Sequence, residues 1–265
     1  MTDAIAFVAG VILGALGTLV GAGGGFLLVP ALIVVEPEWS TQSITAFSLA
    51  VVAANASAGA LSYWRQMRVD LRTFPLFALA AIPGSILGAY ATRFIPRHVF
   101  DVGFGCMLLA ISAWLIFRPD ARAAFTFGST SRSLVDREGH TYEWRFSLRL
   151  GMAVSVLVGF ISSLLGIGGG IVQVPFMIAV LGFPEHIATA TSHAVLAVTA
   201  IVGSIVHLVH GDYDAIWVLT LWTAVGALVG APIGAHLSRK ISGAMITRIL
   251  AIALGSVALR LIITH

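Results

Sequence analysis

Gly21-Ala22-Gly23-Gly24-Gly25-Phe26-Leu27-Leu28-Val29-Pro30 interrupts a stretch, residues 4–35, that contains no Asp, Glu, Lys or Arg. A second cluster, Gly166-Ile167-Gly168-Gly169-Gly170-Ile171-Val172-Gln173-Val174-Pro175, does the same within residues 150–184 and begins 145 positions later. Glycine has no Cβ and adopts positive φ at little cost, so three in a row end a helix. In an apolar stretch this long, the ending exposes backbone N–H and C=O groups at membrane depth. Such exposure is tolerated only where the groups are buried in protein or line a cavity. The residues after each cluster can restart a half-helix whose free N–H groups and positive dipole end face the break. Pro30 and Pro175 keep the restarted segment bent. The two breaks are the expected seat of a small anion held by backbone rather than by a buried Lys or Arg.

Composition points the same way. The 265 residues are 58% hydrophobic and 10% charged, with a mean hydropathy of +0.97, whereas a soluble domain carries roughly 25% charged residues. Charge-free windows also cover 39–64, 73–92, 186–211 and 215–238, each long enough for the ~20 residues of a spanning helix. Windows 102–117 and 249–264 are shorter or carry one charge, Arg260, and read as spans because flanking arginines reach the interface. The first window lacks the basic start and clean small-residue site of a cleaved signal peptide. The sequence pI near 9.5 is expected from basic cytoplasmic loops, not from nucleic-acid binding. Cys106 alone provides no disulfide or cysteine metal site, and is expected to be a small buried hydrophobe. Trp39, Tyr63, Trp64, Trp217 and Trp222 fall near predicted helix ends and read as interfacial anchors.

The repeat runs beyond the glycines. Thr45-Ala46-Phe47-Ser48 aligns with Thr189-Ala190-Thr191-Ser192, Asp70 with Asp212, Gly84/Gly88 with Gly226/Gly230, and Arg97-His98 with Arg239-Lys240. The expected fold is an all-α polytopic membrane protein of two homologous halves. Each half has a glycine-broken segment followed by three transmembrane helices: 4–35, 42–63, 73–93 and 99–117, then 148–182, 186–209, 215–237 and 246–264. Residues 1–117 form the first repeat and 150–265 the second, with 118–149 a polar cytoplasmic linker. Placing Arg65, Arg68 and Arg72 on the linker's side together with Arg239 and Arg248 requires inverted halves, each crossing an odd number of times. Arg93 and Arg97 then fall outside, against the rule. Eight full spans in parallel halves is the alternative.

The candidate substrate-binding residues are Gly23, Gly24 and Gly25, then Thr45, Ser48 and Asn55 on the helix after the first break. Their counterparts are Gly168, Gly169 and Gly170, with Gln173, Thr191, Ser192 and His193. Thr45, Ser48 and Asn55 are spaced to share a helix face. Hydroxyl and amide donors suit sulfonate, sulfite or carboxylate oxygens, though Ser and Thr in such helices also bond their own backbone. His193 stands where the first half has Leu49. A titratable ring in a span either carries a coupled proton, donates to the anion or is satisfied by one hydroxyl. Gly84/Gly88 and Gly226/Gly230/Gly234 read as close-packing positions. His207, His210 and Asp212 make only a weak metal set. No phosphate-loop Lys-Ser/Thr follows either glycine cluster, and no cofactor is called for.

The paired Gly-x-Gly-Gly-Gly-x-x-x-Val-Pro segments, with Ala190-Thr191-Ser192 and Arg68-Val69-Asp70, resemble the TauE/SafE family of sulfite and organosulfonate exporter-like permeases. The resemblance covers both halves. It implies a multi-pass carrier of a bacterial-type cytoplasmic (inner) membrane, not an enzyme. Its substrates would be sulfite or sulfonates such as sulfoacetate, moved by alternating access with protons a plausible coupling ion. Another small organic anion, or an anion channel of the same architecture, is the alternative. Phe47-Ser48 in place of Thr-Ser, and His193 in place of an apolar residue, depart from the family pattern and point to the substrate as the feature most open to change. The charge-free windows offer no carboxylate for a catalytic set. Lipid and a small anion are the expected partners, and the oligomeric state is not legible.

Overall fold

The computed structural model describes residues 3–117, 130–238 and Gly255. The expected last span, 246–264, and the basic residues Arg239, Lys240 and Arg248 lie outside them. The described elements are α1 (Asp3–Val20), α2 (Gly25–Val35), α3 (Thr41–Arg65), α4 (Phe74–Ala91), a 3-10 turn (Thr92–Phe94) and α5 (Arg97–Phe117). They continue with β1 (Thr130–Val135), β2 (Thr141–Phe146), α6 (Leu148–Leu165), α7 (Gly170–Ala179), α8 (Glu185–Val209) and α9 (Trp217–Leu237). Six helices, α1, α3, α4, α6, α8 and α9, are long and apolar enough to cross a membrane, while α2 and α7 are shorter apolar helices. The apolar stretch 4–35 is thus one full-length helix, a four-residue break and a half-length helix, and 148–179 repeats that plan.

Small residues set the packing. Lipid tails are as apolar as leucine, so helices associate in a bilayer through close contact rather than burial from water. Along α9, a Cβ at Gly226, Gly230 or Gly234 would run into the carbonyl oxygen of Phe7, Val11 or Ala15 of α1. Both sets of numbers rise together, so α1 and α9 run the same way. Gly84 and Gly88 of α4 meet the carbonyls of Val156 and Phe160 of α6 in the same fashion, and Gly159 meets that of Ala81. Each half therefore lends its first helix to the third helix of the other. At the centre α3 crosses α8 in the opposite sense: Leu49 packs on Gly203 and His193 on Gly59.

One end of the bundle carries a β-hairpin that the linker reading did not anticipate. β1 and β2 pair antiparallel, with Arg132 opposite Trp144. Trp144 and Phe146 bury against Phe183, and Phe146 against Phe77. The alternation in Thr141-Tyr-Glu-Trp-Arg-Phe146 was a visible strand signal, masked by the segment's polarity. The hairpin turn is organised by Asp136, whose Oδ1 accepts the N–H groups of Glu138 and His140 at 2.9 and 3.0 Å. Arg68, buried at the end of α3, approaches Asp136 at 3.9 Å, and Arg132 approaches Asp70 at 3.7 Å. At the opposite end Arg93 donates to both Asp212 oxygens at 2.8 and 2.9 Å, and Arg97 to both oxygens of Asp101 at 2.9 Å and to the Trp39 carbonyl. The two arginines that offended the charge rule are thus paired with carboxylates.

Two expectations need correction. Cys106 is exposed on α5, not buried. Tyr63 is not an interfacial anchor: it is 1% exposed, and its hydroxyl donates to the Thr18 carbonyl at 2.7 Å, because the end of α1 closes over it. Trp39 is half-buried, edge-on to Phe47. Trp64, Trp217 and Trp222 are exposed.

Gly230→Leu is expected to cost at least the roughly 1–3 kcal/mol of an overpacked site and to lower the midpoint of thermal unfolding in detergent; Leu87→Ala, on the exposed face of α4, leaves it unchanged. Burial alone would raise the pKa of Asp136, but the N–H donors of His140 and Glu138 outweigh it and hold the carboxyl below its ordinary 3.8. Its support of the hairpin is therefore intact above that pH and lost as pH falls through the lower folded value. Trp144 fluorescence, in a chain whose other tryptophans are phenylalanine, should shift to the red in that acid range, and Asp136→Asn should produce the shift at neutral pH.

Candidate functional site

The two breaks form each other's walls. Gly24 precedes α2 with φ 81° and Gly169 precedes α7 with φ 68°, left-handed conformations that a residue with a Cβ adopts only at a cost. Neither position supplies a side-chain cap, in contrast to Ser40 and Ser147, whose hydroxyls cap α3 and α6. The starts of α2 and α7 are thus buried without side-chain caps, with the positive helix ends at the breaks, although Gly170 N–H donates to the Gly168 carbonyl at 2.8 Å. Gly25 lies against the backbone of Gly166 and Ile167, and Gly170 against that of Gly21 and Ala22. Gly23 and Gly168 both pack on Val52 and Leu196, one residue from each central helix. This exchange brings Gly23, Gly24, Gly25, Gly168, Gly169 and Gly170 together at one place.

The polar candidates divide by what their side chains already do. Ser48 Oγ donates to the Gly166 carbonyl at 2.6 Å and so ties α3 to the second break. Thr45 bonds its own helix, at the carbonyls of Thr41 and Gln42, and only its carbon atoms back Gly166. Thr191 Oγ1 accepts the N–H of Asp70 at 3.0 Å, which ties α8 to the α3–α4 loop. Asn55 and His193 come together through Thr18, whose Oγ1 donates to Asn55 Oδ1 at 2.9 Å and lies 3.4 Å from His193 Nε2. Several buried groups nonetheless have no hydrogen-bond partner among the described residues: Asn55 Nδ2, Gln173 Nε2, Ser192 Oγ and His193 Nδ1. Ser162 Oγ joins them and sits beside Gly169. A buried donor without a partner costs about 1–3 kcal/mol. A fold that keeps such polar atoms on the helices flanking the two breaks has hydrogen bonds to offer a ligand.

Sequence reasoning missed Thr18, Ser162, Ser163 and Ser85. Ser85 Oγ lies 2.6 Å from Ser163 Oγ and donates to the Thr199 carbonyl at 2.7 Å, all in the interior. The signal was available: Thr18 and Ser163 stand three residues before equivalent glycines, Gly21 and Gly166. The weak metal set resolves differently. His207 is 1% exposed with Nδ1 2.8 Å from Asp212 Oδ2, while exposed His210 turns to the Val206 carbonyl. Asp136, Glu138 and His140 are the group of metal-ligand type among the described residues, but Arg68 lies within 4.0 Å of both carboxylates and supplies the positive charge there.

Comparison with known proteins agrees with this architecture. The chain is 30% identical to "Probable membrane transporter protein YunE" of Bacillus subtilis (strain 168), over 99% of this chain and 98% of that one. It is 27% identical to a "Probable membrane transporter protein" of Xylella fastidiosa (strain 9a5c), over 92% and 88% of the two chains. It is also 27% identical to "Probable membrane transporter protein YjnA" of Bacillus subtilis (strain 168), over 88% and 89%. No solved structure matches. The sequence matches the family described as "Sulfite exporter TauE/SafE" over residues 6–261. With six helices among the described residues able to span a bilayer and two interrupted segments enclosed among them, the chain is a multi-pass membrane transporter and belongs to the TauE/SafE family.

Proposed function

We propose that the protein is a secondary transporter of small sulfur-containing anions, sulfite and sulfonates such as sulfoacetate, by alternating access, with the anion held between the two breaks. The observation that carries this is the meeting of two half-helix starts without side-chain caps inside the bundle, with unpartnered buried donors on α3 (Asn55), α7 (Gln173) and α8 (Ser192). Tetrahedral oxyanions present several acceptor oxygens, and converging N–H, hydroxyl and amide groups match them without a buried cation. The sulfur chemistry itself rests on the family's description.

Alternating access requires two halves that can exchange roles, and inverted repeats supply them. Support comes from the opposite senses of the equivalent helices α3 and α8, and from the matched pairs α1 with α9 and α4 with α6. In this reading α1 and α2 enter and leave on one side, as α6 and α7 do on the other. The hairpin end carries Arg65, Arg68, Arg72, Arg132, Arg137, Arg145 and Arg149, whereas the opposite end is rich in Asp and Glu. The hairpin end is therefore cytoplasmic. The equivalent Asp70 and Asp212 each hold an arginine, at opposite ends, in positions suited to closing one face at a time.

In proteoliposomes, labelled sulfite and a small sulfonate should show saturable flux exceeding that of acetate. Ser192→Ala and Gln173→Leu each remove an unpartnered buried donor, so they should leave thermal stability unchanged or raised while lowering flux about tenfold, the worth of one hydrogen bond. Loss of stability together with flux would mark these residues as structural and sink the site. On a Cys106→Ser background, cysteines placed at Asp3 and Glu38 should react with an impermeant maleimide from the same face; labelling from opposite faces would exclude the inverted arrangement.

A further inference from the structure

We infer that His193 is the proton-coupling residue: its Nδ1 takes up one proton as the anion enters between the breaks and gives it up as the anion leaves, so a monoanion and a proton cross together. This rests on the carrier reading above and adds the coupling ion and its seat.

The pocket that holds His193 is built twice, once in each half, and only one copy can titrate. In the first, His193 fills the space over Gly59, beside Thr18 and Asn55. In the repeat-equivalent place Leu49 fills the space over Gly203, beside Ser163 and Thr199. Leucine is the packing solution to that space, and it works. The imidazole at the other copy is 0% exposed and leaves a nitrogen without a partner, a cost that packing does not explain.

The hydrogen bonds fix which nitrogen is free. Thr18 has one hydroxyl proton and gives it to Asn55 Oδ1, which can only accept. The contact to His193 Nε2 then requires that Nε2 carry the ring proton, and Nδ1 is left with a bare lone pair. The carbonyls of Gly21 and Asn55 are the polar groups beside the ring. They are acceptors that a protonated ring uses and a lone pair does not. Gly21 belongs to the first break, so the ring lies beside the backbone that walls the anion's proposed seat.

Among the described residues no other group there competes for the proton. Tyr63, edge-on at 5.8 Å, spends its hydroxyl on the Thr18 carbonyl. α2 and α7 carry no titratable residue. α1 carries only Asp3, at its far start, and α3 besides Tyr63 only Arg65, at its last position. α4 has Tyr90, α6 Arg149 and α9 His236, each toward a helix end. α8 itself adds Glu185, His186 and His207, also toward its ends, and Arg68 and Asp70 lie in the loop beyond Tyr63. Among the described residues a monoanion entering this interior therefore meets one site able to gain a compensating charge. The balance is simple: a proton from water on the open side binds Nδ1, the closed state holds an imidazolium and an anion, and both are released to water on the other side with the ring neutral again. One negative charge and one proton cross, and no net charge moves.

The test uses the full chain in liposomes containing a pH dye, with methanesulfonate as probe, because it stays ionised at every pH used and any proton that crosses is carried by the protein. Uptake should acidify the lumen by one proton per anion and be about tenfold faster near pH 5 than near pH 8. His193→Gln keeps an amide to meet Thr18; the flux that remains should be slower, carry no proton and lose its pH dependence, whereas a purely structural role would lower flux with one proton per anion intact. Wild-type uptake without acidification, or acidification that persists in His193→Gln, overturns the inference and leaves the carrier standing. If neither methanesulfonate, sulfite nor acetate shows saturable flux, the carrier reading is the one that fails. Where flux is saturable, nitrogen-15 histidine spectra read the ring directly: an Nδ1 that gains a proton near pH 5 as methanesulfonate is added supports the assignment, and a ring that stays neutral with the anion bound overturns it.

Discussion

Everything in this fold answers to one constraint: a backbone interrupted at membrane depth has to find its hydrogen bonds and its walls in protein. Here each interruption is walled by the other. Gly25 rests on Gly166 and Ile167, Gly170 on Gly21 and Ala22, and Ser48 reaches across to the Gly166 carbonyl. Neither half can bury its own break, so neither half is a complete structure. The exchange of first helices, α1 onto α9 and α6 onto α4, follows from the same requirement. It brings the two breaks to the centre instead of leaving them on the lipid-facing rim.

The materials of that arrangement are small residues and a few hydroxyls. Backbones approach each other through Gly84, Gly88, Gly226, Gly230 and Gly234 because contact, not expulsion of water, drives helix association in a bilayer. Most buried hydroxyls are satisfied locally: Thr45, Ser57, Thr220 and Thr223 bond a carbonyl of their own helix. Against that background Asn55, Gln173, Ser192 and His193 stand out, because they keep polar atoms unpartnered where leaving them so is destabilising. Stability is given up at the place where a ligand would restore it.

The charged groups are placed at the ends and are paired there. Arg93 with Asp212 and Arg97 with Asp101 form one set, while Arg132 with Asp70 and Arg68 with Asp136 form the other. The hairpin extends the second set outward, with Trp144 and Phe146 seated against Phe77 and Phe183 as its apolar anchor. It converts what composition describes as a linker into a cap tied to α3, α4 and the α7–α8 loop.

The sequence by itself determined the membrane class, six of the helical spans, the position of both interruptions and the recurring order of landmarks. Each of these is a one-dimensional property: run length without charge, glycine placement and a recurring order of landmarks. Tertiary structure alone decided what each polar candidate does. Ser48, Thr45 and Asn55 share a helix face in the sequence, yet one bonds the other break, one its own turn and one Thr18 from another helix. It also decided that Tyr63 is core and Cys106 exposed, because a helix buried on one side has no sequence mark for which of its neighbours will cover it. The hairpin stayed hidden for a related reason: its strands gain their apolar partners, Phe77 and Phe183, from segments far away in the chain. Local pattern fixes which backbone conformations are available, and only packing between distant segments fixes which side chains are left free to bind.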